Sequence, residues 1–160
     1  MEVSSKPVSV EPPRGAYQAR VDEKGRLKLP AVFQQYLAGW NEQRVFITSL
    51  DTRTGRIYPI SVWKENENLF ENSTEDPDAV ADVAWVANHF GADSEVDGQG
   101  RVLVPTELRR HLQIEGEQVW LDCHKGRINI YSGSEYEQRK LRAFDDISGK
   151  VKGLERQGMK

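Results

Sequence analysis

Apolar positions along this chain follow two periods. After Arg26 and after Arg101 come the strand-like runs Leu27-Lys28-Leu29 and Val102-Leu103-Val104, each closed by a proline, Pro30 or Pro105. The next apolar pairs, Phe33/Leu37 and Leu108/Leu112, stand four residues apart, which puts each pair on one helical face. Proline suits the start of such a helix, and Gly39 and Gly116 mark or follow the stops. A second pair of strands follows each helix, over Arg44 to Ile60 and Gln118 to Tyr131, with turns near Thr54-Gly55 and Lys125-Gly126. Ser61 can cap a helix carrying Trp63, Leu69 and Phe70, and Asp76-Pro77 can start another through Val80, Val83 and Ala87 to Gly91. A last helix follows Ser134 through Tyr136, Leu141 and Phe144.

These elements are two copies of one unit. Val21-Asp22-Glu23-Lys24-Gly25-Arg26-Leu27-Lys28-Leu29-Pro30 returns 75 positions later as Val96-Asp97-Gly98-Gln99-Gly100-Arg101-Val102-Leu103-Val104-Pro105. Further on, Val45-Phe46-Ile47 matches Val119-Trp120-Leu121, and Gly55-Arg56-Ile57 matches Gly126-Arg127-Ile128. A half of about 60 residues buries too little apolar surface to stand comfortably alone. An α+β fold is therefore expected, two halves closing around one core as a pseudo-twofold β-barrel with flanking helices. The expected divisions are a flexible tail over residues 1–13, a first half with linking helices over 14–90, a second half with a C-terminal helix over 91–148, and a flexible tail over 149–160.

Composition narrows the class. The 160 residues carry a net charge of −3, with 38% hydrophobic and 29% charged positions, which fits a globular chain and not a uniformly basic nucleic-acid binder. The charge is segregated: residues 61–100 hold ten acidic groups against Lys64 alone, whereas 14–28 hold five basic groups against Asp22 and Glu23. A local basic patch is thus compatible with a near-neutral total. A single cysteine, Cys123, no long apolar run and no signal-like N-terminus point to a cytoplasmic protein without membrane association.

The Arg14-Gly15 pair, the two Asp-x-x-Gly-Arg motifs and the prolines after them resemble the MraZ family, of the AbrB-like swapped-hairpin group, over about residues 14 to 142. The resemblance implies a tandem swapped-hairpin barrel and a transcriptional regulator of the bacterial cytoplasm and nucleoid. It also implies self-association into a ring-shaped homo-oligomer. The partner implied is double-stranded DNA, read as short direct repeats upstream of the cell-division and cell-wall gene cluster. The residues expected at DNA are Arg14, Lys24, Arg26, Lys28, Gln99 and Arg101.

The residue chemistry leaves two readings of the motifs. Arg at a turn tip offers a planar fork of donors to phosphate oxygens or to a guanine edge in the major groove, which a two-stranded ribbon can enter. Asp22 and Asp97 would bond turn N–H groups or orient the arginine, and Gly25 and Gly100 would supply positive φ. Alternatively both motifs only stabilise turns. A protein-interaction module on the same barrel, antitoxin-like or an assembly adaptor, is the competing function. Cys123-His124, His89 and His111 lack the spacing of a zinc site, and no nucleophile, P-loop or acid-base motif is present, so no metal, cofactor or enzymatic activity is expected.

Overall fold

The computed structural model describes residues 10–160. Of the expected N-terminal tail, residues 1–9 lie outside the described part, while residues 10–13 run without regular structure and pack Val10 against the core. Eight strands and six helices follow in the order β1 (Tyr17–Arg20), β2 (Arg26–Lys28), α1 (Ala31–Ala38), β3 (Arg44–Thr48), β4 (Gly55–Pro59), α2 (Ile60–Asn72), α3 (Pro77–Phe90), β5 (Ala92–Glu95), β6 (Arg101–Leu103), α4 (Thr106–Leu112), β7 (Gln118–His124), β8 (Arg127–Ser132), α5 (Gly133–Phe144) and α6 (Ile147–Arg156). The fold is α+β with antiparallel sheets.

The strands do not close into the expected barrel. Six of them form an open sheet in the order β1-β7-β8-β4-β3-β5, and β2 pairs with β6 in a separate ribbon. The ribbon strands are only three residues long and spend their ladder bonds on each other, so they do not bridge the sheet edges β1 and β5. Just after β1, an isolated bridge joins Val21 to Leu27 of β2.

Each copy nonetheless completes the other. β1 pairs with β7, β5 with β3, and β2 with β6, so the first two strands of either half find partners in the opposite half. In the ribbon Leu27 faces Val102, and between β4 and β8 Ile57 faces Ile128. Both are pairs that the repeat aligns, and equivalent residues facing one another in an antiparallel ladder must lie on a local twofold. Matching backbone bonds support it: Leu29 N–H donates to Gly100 O (3.0 Å) and Val104 N–H to Gly25 O (2.9 Å). Leu27, Leu29, Phe33 and Leu37 join Val102, Val104, Leu108 and Ile128 in one core. Full burial of each such side chain is worth about 1.5–3 kcal/mol.

The local signals hold with four adjustments, the first being that α5 starts behind Ser132 and takes in Ser134. Pro30 and Pro105 stand at the N-caps of α1 and α4, one residue before the helices begin. Ser61 lies inside the first turn of α2, which starts behind Pro59, and its hydroxyl donates to the Glu42 carboxylate. Residues 149–156, expected within a flexible tail, are wound into α6, whose Ile147, Val151 and Leu154 all remain exposed.

Candidate nucleic-acid interface

Strand alternation decides what the β2–β6 ribbon presents. Leu27 and Val102 are fully buried, so their neighbours Arg26, Lys28, Arg101 and Leu103 point the other way. Arg26 stands opposite Leu103, and Lys28 opposite Arg101. Three cations therefore share one face of a two-stranded ribbon, drawn from both copies of the repeat.

The turns beside the ribbon are built by their aspartates. Asp22 Oδ1 accepts the N–H groups of Lys24 and Arg26, both at 2.9 Å, and Asp97 Oδ1 accepts those of Gln99 and Arg101, also at 2.9 Å. The bond from the Arg26 N–H foremost, then that from Lys24 and the charges of Arg26 and Arg101, holds the Asp22 carboxyl below its ordinary range. Asp97 is lowered likewise, first by the Arg101 N–H. The copies differ at the arginine: Arg101 Nε donates to Asp97 Oδ2 at 3.0 Å, whereas the Arg26 guanidinium makes neither an ion pair nor a hydrogen bond among the described residues. Lys28 Nζ donates across the ribbon to the Gln99 carbonyl.

Gly25 and Gly100 adopt φ of +87° and +76°, the left-handed region their turns require. Space is a second reason for glycine there. A Cβ on Gly25 would lie 2.6 Å from the Arg109 guanidinium, and one on Gly100 would overlap the Gln34 carboxamide. Gln34 and Arg109 are themselves repeat-related. Gln34 Nε2 donates to Leu29 O and an Arg109 guanidinium nitrogen to Val104 O, both at 2.7 Å. The helix of each half thus braces the turn of the other.

Arg26 and Arg101 line one groove of about 490 Å³ together with Arg44, Asp93, Glu95 and Asp97. Its lining is balanced in charge, Arg26, Arg44 and Arg101 against Asp93, Glu95 and Asp97, so two of the three ribbon cations stand beside carboxylates. Lys24 and Gln99 lie exposed at the two turn tips. Arg14 does not join this group: it is exposed ahead of β1 and lines a separate cleft with Val32, Gln35 and Tyr36 of α1. Sequence reasoning missed Gln34 and Arg109, although both directly follow the aligned core pair Phe33 and Leu108, and it missed Arg44, for which no signal existed.

Among the described residues no group of three or more His, Cys, Asp or Glu side chains is placed to hold a metal ion, and no helix is long and apolar enough to cross a membrane. Burial pushes the Cys123 thiol up to about 11, away from the reactive thiolate.

Residues 91–146 match the family model described as "MraZ protein, putative antitoxin-like". The chain is similar to a protein of Acidobacterium capsulatum called transcriptional regulator MraZ, 39% identical over 106 residues, covering 66% of this chain and 73% of the relative. Proteins of the same name from Caldanaerobacter subterraneus subsp. tengcongensis and a Marinomonas species are each 32% identical, covering 84% and 79% of this chain and 92% and 84% of the relatives.

Proposed function

As this chain belongs to the MraZ family, we propose that it is a transcriptional regulator that binds double-stranded DNA through the β2–β6 ribbon. The observation that carries this reading is the exposed face on which Arg26, Lys28 and Arg101 meet. A two-stranded ribbon matches the width of the major groove, and arginine is the residue that engages guanine edges or phosphates through a paired donor fork. Arg26 is available as it stands; Arg101 exchanges Asp97 for a DNA group on binding. The exchange of strands between the halves supports the swapped-hairpin description of this fold.

One ribbon with three cations makes a weak contact. Self-association into a ring would multiply it along the direct repeats of a promoter through effective concentration, and the promoter we propose is that of the cell-division and cell-wall gene cluster. Exposed Trp85, Leu141 and Phe144 are apolar surface available to such an assembly.

The test is fluorescence anisotropy on a duplex from the gene's own upstream region against scrambled DNA at two salt concentrations. Arg26→Ala is expected to weaken repeat-specific binding at least tenfold and to reduce the salt slope by about one, while circular dichroism stays unchanged. Unaltered affinity in Arg26→Ala and Arg101→Ala together would refute the ribbon as the DNA-reading element.

A further inference from the structure

The Gly-Arg-Ile motif of each copy has no part in the ribbon. β4 and β8 pair so that Ile57 and Ile128 face each other and are fully buried, which turns their neighbours Arg56 and Arg127 to the opposite side of the sheet. In that register Arg56 stands opposite Asn129, so Arg56 and Arg127, from distant parts of the chain, occupy diagonal positions about the local twofold. They line a cavity of about 470 Å³ into which the β3–β4 turn brings Arg53 and α5 brings Arg139 and Arg142. That volume lies in the range of small-molecule sites.

Five arginines meet three carboxylates in this cavity, a surplus of two positive charges, and among the described residues only Arg142 of the five is ion-paired. Glu135 accepts from Arg142 at 2.9 Å. Asp51 takes the N–H groups of Arg53 and Thr54, and Asp122 accepts from Asn129 (2.8 Å) and Tyr131 (3.3 Å). Arg53, Arg56, Arg127 and Arg139 form no ion pair among the described residues. Among the described residues Arg56 Nε is buried with no hydrogen-bond partner, and the one side-chain bond of Arg56 is from a terminal nitrogen to the Tyr58 hydroxyl at 3.0 Å. Burial first, and the Arg56 charge second, lower the pKa of Arg127, opposed by Tyr58, Tyr131 and the Asp122 carboxylate.

We propose that this cavity is a binding site for a small ligand carrying a phosphoryl group, held between Arg56 and Arg127 with Arg139 closing from α5. A single carboxylate would leave one of the two surplus positive charges unmatched. A phosphoryl dianion offers three oxygens to paired donor forks. The cavity shares no lining residue with the groove beside Arg26 and Arg101, so the site is separate from the proposed DNA-reading face.

Isothermal titration of the full chain with pyrophosphate and with inorganic phosphate, at constant ionic strength and with succinate as the carboxylate counterpart, tests this. Pyrophosphate is expected to saturate one site per chain, at least tenfold more weakly in Arg56→Gln and Arg127→Gln. Arg139→Gln, on an exposed helix position where folding is not at risk, is expected to weaken it severalfold, and Arg26→Ala to leave it unchanged. Absence of saturable binding, equal binding of succinate, or equal affinity in all the Arg→Gln variants overturns the proposal. If pyrophosphate fails to bind and Arg56→Gln instead loses duplex affinity, the phosphoryl groups are those of the DNA backbone, and a free ligand is refuted.

Discussion

Asp97 engages its turn with both carboxylate oxygens, one on two backbone N–H groups and one on the Arg101 guanidinium, whereas Asp22 uses one oxygen alone. Each favours the ionised form, and both carboxyls are held below the ordinary aspartate value of about 3.9. A group whose pKa is lowered by folding contributes stability that is complete above the unfolded value and lost as pH falls through the folded one. Carboxyl-carbon titration by NMR should therefore place both midpoints below about 3.9, and Asp22→Asn and Asp97→Asn should each flatten the decline of stability below that pH. Midpoints at the ordinary value would contradict the assignment. Asp97→Asn also frees Arg101, so its effect on DNA binding separates the anchoring of that arginine from the building of its turn.

Helix starts carry the next level of specification. α5 begins behind Ser132, whose hydroxyl accepts the Glu135 N–H at 3.1 Å, and Glu135 in turn holds Arg142. Ser132→Ala is expected to cost about 1 kcal/mol in urea denaturation; no change in midpoint would mean that packing alone sets the start of α5. Such local chemistry is what made the elements legible: Asp-x-x-Gly turns, prolines before helices, and Phe33/Leu37 with Leu108/Leu112 on buried faces can all be read within ten residues. Partners could not be read that way. Alternation shows that Leu27 faces inward but not that Val102 lies across from it, so the expected barrel proved to be an open sheet with a separate ribbon. α6 escaped because Gly149 and Gly153 and its lysines mask the stripe Ile147, Val151 and Leu154. Arg56 and Arg127 were noted only as an alignment of the copies; that they converge follows from the pairing of β4 with β8, which no short-range pattern reports.

For the whole molecule the exchange of strands makes the halves interdependent. A fragment of residues 1–90 lacks β5, β6 and β7, and with them the partners of β3, β2 and β1. It is expected to show no cooperative thermal transition as a monomer, by circular dichroism with gel filtration, and to recover one on adding residues 91–160; a stably folded monomeric fragment would refute the interdependence. The same exchange imposes an order in time. Tyr17 cannot pair until Leu121 has been synthesised, an interval of roughly 5–20 seconds at about 5–20 residues per second. Throughout it the nascent first half carries unpaired strand edges and an uncovered apolar face. Chains growing side by side on one message can then supply each other's missing strands, so crowded translation favours intertwined dimers that dilution afterwards does not readily separate.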